Sequence, residues 1–62
     1  MRFSYSQNSC TITLYDNDNN TSCLLQGDDM QTFNEELVIC EESDNTDKAI
    51  QDLIAEYLHL MK

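Results

Sequence analysis

The sequence predicts a small α+β domain, an antiparallel sheet of three or four strands with one C-terminal amphipathic helix packed across it. Three observations carry that prediction. Residues 10–15 alternate between Cys10, Ile12, Leu14 and Thr11, Thr13, Tyr15, the period of a half-buried strand. The run Asp16-Asn17-Asp18-Asn19-Asn20 then interrupts with side chains that make Asx-turns and tolerate left-handed backbone. Finally, Ile50, Leu53, Ile54, Tyr57, Leu58 and Met61 recur at i, i+3, i+4, i+7, i+8 and i+11, which sets all six on one helical stripe.

Taken in order, Arg2 to Ser6 alternates with Phe3 and Tyr5 on one face, a first strand. Residues 10–26 read as a β-hairpin with a polar, acidic tip, since Thr21 to Gln26 resumes an extended pattern. Gly27-Asp28-Asp29 is the next break. Met30 to Glu35 is open between one helical turn capped by Asp29, with Met30 and Phe33 spaced i, i+3, and the entry to another strand. Leu37-Val38-Ile39-Cys40 is β-branched and apolar between acidic pairs, and reads as a strand ended by Ser43-Asp44-Asn45-Thr46. Asn45 or Thr46 suits the cap of the last helix, Asp47 its positive end and Lys62 its negative end. Asp47, Lys48, Gln51, Asp52, Glu56 and His59 fall on its wet face.

Composition bounds the function. Sixty-two residues make a single domain, 1–62, whose core supplies roughly 3–5 kcal/mol, so a partner or a second copy would add useful stability. Twelve Asp and Glu against Arg2, Lys48 and Lys62 give a formal charge of −9. Direct binding to nucleic acid or an anionic membrane is thereby disfavoured, because both need Lys and Arg in number. Cys10, Cys23 and Cys40 form an odd set without a C-x-x-C pair. With no apolar leader after Met1 and no membrane-length run, the expectation is free, buried thiols in a cytoplasmic protein.

No constellation assembles an enzyme, a metal site or a cofactor site. Asp16-x-Asp18-x-Asn20 begins like a calcium loop, but Thr21 stands where the turn needs Gly and Gly27 where the bidentate Glu belongs. The cysteines and His59 have the identities of a zinc set without its spacing. No third group is evident to orient a Cys–His pair, and a chain this small scarcely builds the pocket that lifts a catalytic carboxyl. More informative is where the acids fall. Asp16, Asp18, Asp28, Asp29, Glu35, Glu36, Glu41, Glu42 and Asp44 cluster in the turns and strand ends of residues 16–44, and are the candidate partner-binding residues. On a strand, residues two apart stand roughly 6.6 Å apart, comparable to the step between neighbouring phosphates. The alternative is a solvated acidic surface that keeps the chain dissolved.

The stretch Glu36-Leu37-Val38-Ile39-Cys40-Glu41-Glu42-Ser43-Asp44-Asn45, followed by an amphipathic helix, resembles part of a prophage anti-CRISPR protein that blocks Cas9. More broadly, the chain resembles phage-encoded acidic inhibitors that imitate nucleic acid, among them those of uracil-DNA glycosylase. It departs from the anti-CRISPR pattern in having no readable N-terminal helix. The resemblance implies an inhibitor that acts in the host-cell cytoplasm on a basic nucleic-acid-binding protein, such as a Cas effector. Its carboxylates would occupy the arginines and basic channel that read DNA. The competing expectation is a small dimerising interaction or regulatory module that uses apolar contacts from Phe3, Tyr5, Tyr15 or the helix stripe. Ionic strength separates the two, since only the first weakens steeply with salt.

Overall fold

Two successive hairpins build the sheet. In the computed structural model, which describes residues 2–62, β1 (Phe3–Gln7), β2 (Thr11–Asp16) and β3 (Thr21–Gln26) lie side by side in chain order. Both pairings are antiparallel. Met1, the first of the residues expected to form no apolar leader, lies outside the described residues. The register puts Phe3, Asp16 and Thr21 in one row, Tyr5, Leu14 and Cys23 in the next, and Gln7, Ile12 and Leu25 in a third. Phe3, Ile12, Leu14 and Leu25 from these rows are buried. The alternate rows, including Ser4-Tyr15-Ser22 and Ser6-Thr13-Leu24, face outward without a single charge.

The hairpin tip folds as its composition predicts. Asp16 Oδ1 accepts the Asp18 N–H at 3.2 Å, an Asx-turn, and Asn20 takes a left-handed φ of 55°. Both sheet edges are partly covered. The Gln51 side chain accepts from the Phe3 N–H at 2.9 Å and donates to the Phe3 carbonyl at 2.8 Å, as a neighbouring strand would. Ser22 and Lys62 exchange both backbone bonds at the β3 edge, at 3.4 and 3.2 Å. Edges blocked in this way are poor templates for uncontrolled pairing.

Residues 37–40 are not a strand. They belong to a helix, α1 (Asp28–Glu41), that also absorbs the ambiguous Met30 to Glu35, so among the described residues the sheet has three strands. Met30, Phe33, Leu37 and Cys40 recur at i, i+3, i+7 and i+10 and pack on the core, which leaves Val38 and Ile39 56% and 67% exposed. Coverage explains the outcome. Three strands span about 10 Å between their outer axes plus side chains, and one helix about 10–12 Å across leaves apolar rows wet. A second helix closes that gap, and this burial overrides the β preference of a two-residue Val-Ile pair. Gly27, not Asp29, occupies the N-cap, at φ 62° and ψ −131°, a conformation suited to glycine. Asp28 and Asp29 in the first turn match the positive end of the dipole.

The last helix, α2 (Thr46–Ala55), is capped by Asn45, whose side chain accepts from the Lys48 N–H at 3.2 Å. Its stripe buries Leu53 and Ile54 and half-buries Ile50, Tyr57 and Met61 against the core. The regular helix ends at Ala55, and a 3₁₀ turn at Leu58–Leu60 follows. The stripe therefore fails at Leu58, which is exposed, and Lys62 serves the β3 edge and not a helix end. α1 contacts β3 and α2, and α2 contacts β1. At the centre, the fully buried Phe33 ring meets Tyr5 and Tyr57 edge-on, with centroids 5.9 and 5.7 Å apart. The thiols are free, but Cys10 is exposed and Cys23 and Cys40 are half-buried, so the expected full burial does not hold.

Candidate partner-binding surface

Ten of the twelve carboxylates fall between residues 28 and 56, the span of the two helices, where Lys48 is the only cation. This span therefore carries nine net negative charges, against none on the outward rows of the sheet. The chain has two chemically distinct layers. Among the described residues the ion pairs are those of Arg2 with Asp16 and Asp18, so no helical acid is neutralised by a salt bridge.

One of the nine candidates is misplaced. Asp16 points into the fold at 1% exposure. Its oxygens accept from Arg2 Nε and Nη2, each at 3.2 Å, and from Asn19 Nδ2 at 2.9 Å. These bonds, the Arg2 one foremost, outweigh the cost of burial and hold the Asp16 carboxyl at about 2. Asp16 is thus a structural anion that ties β1 to the hairpin, and its position on the even, inward side of β2 was the available signal. Asp18 stays exposed at the tip, 3.9 Å from Arg2.

Asp28, Asp29, Glu35, Glu36 and Glu41 lie on α1, Glu42 is its C-cap and Asp44 follows in the turn. All but the half-buried Glu36 are exposed. Because the segment is helical, the strand spacing of 6.6 Å does not apply. Asp28, Glu35 and Glu42 instead recur every seven residues, as do Asp29 and Glu36, in rows stepped by about 10.5 Å along the helix. The segment on which the anti-CRISPR resemblance rests is therefore helix through Glu41, not strand–turn–helix.

The sequence reading left Asp52 and Glu56 outside the site. The fold brings both to Glu36 across the helix–helix seam. There, Glu36, Ile39 and Cys40 from α1 and Ala49, Asp52, Leu53 and Glu56 from α2 and its cap line a groove of about 390 Å³. The i, i+4 spacing of Asp52 and Glu56 already set them on one side of the helix. Only a helical reading of residues 36–40 would have paired them with Glu36. Two neutral groups register the field. Burial pushes the Cys40 thiol up, and Glu36, Asp52, Glu41 and Glu56 push it further. Tyr57 is raised likewise, by burial and then by Glu36, Asp29 and Glu56.

Among the described residues no three His, Cys, Asp or Glu side chains converge as a metal ion requires. No described helix is long and apolar enough to cross a membrane. No protein-family model matches the sequence, and no curated protein or solved structure matches it.

Proposed function

We propose that this protein imitates the charge of a polynucleotide and occupies the cationic groove of a DNA-processing protein, excluding nucleic acid by occupancy. A host defence nuclease of the Cas effector class is the target that the anti-CRISPR resemblance suggests. One observation carries the reading: nine net charges are gathered on one layer of a molecule 31 Å along its longest axis. That is one charge per about 3.4 Å, the linear density of a single DNA strand. A surface needed only for solubility has no reason to leave one whole face uncharged.

The mechanism requires no reaction. Unpaired carboxylates on helices present acceptors to partner arginines without first breaking an internal ion pair, and charge-assisted pairs with a preformed cationic site are strong. The net charge steers encounter and makes it sensitive to salt. A second reading, association through apolar side chains, draws on the exposure of Leu24, Val38 and Ile39. Capture separates the two. The immobilised protein should retain a nucleic-acid-binding protein at about 50 mM salt and release it to competing duplex DNA or by about 200 mM salt. Reversing Glu35, Glu41 and Glu42 to Lys should abolish capture while circular dichroism stays unchanged. Capture that survives both the salt step and the reversal would establish the apolar reading instead.

A further inference from the structure

We propose that the groove between α1 and α2 is an arginine receptor, taking one arginine side chain of the cationic partner with its stem over Ile39, Cys40 and Leu53 and its guanidinium among Glu36, Asp52 and Glu56. This rests on the charge-mimic reading and names where within that surface a partner's cation enters. The two parts of the groove match the two parts of an arginine. Four of its lining residues are apolar, Ile39, Cys40, Ala49 and Leu53, with Ile39 two-thirds exposed and Leu53 buried. The other three are carboxylates, the half-buried Glu36 of α1 and the exposed Asp52 and Glu56 of α2 and its cap. Carboxylates contributed by both helices beside apolar side chains suit a flat, weakly hydrated cation on an aliphatic stem better than a compact ammonium. About 390 Å³ lies at the small end of ligand clefts, room for one side chain and not for a helix.

Other places in the fold support less. The outward face of the sheet is neutral, but three strands of five or six residues offer an area far below the roughly 800 Å² per partner of a stable interface. The hollow beside β3 mixes Asp29 with His59 and Lys62, so its charge favours neither sign.

The probes are N-acetyl-arginine amide, its lysine counterpart and its neutral citrulline isostere, followed by amide chemical shifts of the whole chain. The arginine probe should shift Ile39, Cys40, Ala49 and Leu53 saturably, and the citrulline probe should not. Lysine should bind at least threefold more weakly. The triple variant Glu36→Gln, Asp52→Asn, Glu56→Gln keeps side-chain shape and should weaken arginine binding at least tenfold, whereas Asp47→Asn, an exposed acid of α2 that does not line the groove, should leave it unchanged. Shifts spread evenly over Asp18, Asp44 and the groove, or insensitivity to the triple variant, would overturn the receptor. The outcome is separable from the parent reading. Arginine bound in the groove by a chain that captures no DNA-competed protein refutes charge mimicry alone, and capture undiminished by the triple variant refutes the groove alone.

Discussion

Asp16 shows how a single carboxylate can belong to the fold and not to the surface. It is buried beside Arg2 and held at about 2, well below the usual range. The sign of its linkage follows. The native carboxyl binds its proton later than the unfolded one, so the stability it supplies is complete above about 4 and is lost as pH falls toward 2. The Asp16 contribution is read by difference against a variant that lacks the ionisable group. The melting temperature of the native chain minus that of Asp16→Asn should be positive at pH 6 and shrink toward zero by pH 2. A difference that does not change with pH would show that ionisation of Asp16 contributes nothing to stability. Gly27 is the second residue of this kind. Its φ of 62° with ψ −131° strains any side chain although the space around it is open, so Gly27→Ala should cost about 1–3 kcal/mol in urea unfolding.

Among the elements, the hairpin and the last helix were legible because each is set by local chemistry. Ile12 and Leu14 alternate with threonines, Asn45 stands where a cap is needed, and Leu53 and Ile54 mark one stripe. α1 was not legible as a helix. Val38 and Ile39 imitate a strand core over four residues, while the stripe that decides the matter, Met30, Phe33, Leu37 and Cys40, is spread over eleven and includes a thiol. What selects the helix is the breadth of the sheet it must cover, a tertiary fact. The same error hid the groove, since Glu36 and Cys40 meet Asp52 and Glu56 only if residues 36–40 are helical. Two substitutions test these elements. Asn45→Ala removes the Lys48 N–H acceptor and should cost about 1 kcal/mol, lowering the melting temperature by about 4–8 °C. Phe33→Ala removes the ring that joins Tyr5, α1 and Tyr57, at a cost of about 3–5 kcal/mol. That equals the whole margin of a chain this short, so this variant should be unfolded at 25 °C by circular dichroism.

At the scale of the whole molecule, charge and hydrophobic burial are opposed within one helical layer. Residues 28–56, the two helices with their flanking turn and cap residues, supply Phe33, Leu37, Leu53 and Ile54 to the core and also carry nine net negative charges, with Lys48 alone to offset them. Raising salt from about 10 to 200 mM screens that repulsion and should raise the melting temperature of the free protein by several degrees. No change would mean that the acids are too dispersed to sense one another. The most direct test of charge mimicry is competition at equilibrium on the captured partner. Titration calorimetry with the partner free, and then saturated with duplex DNA, should give binding in the first case and none in the second, with affinity in the first falling at least tenfold between about 50 and 200 mM salt. A ternary complex with DNA still bound, or an affinity indifferent to salt, would contradict the account.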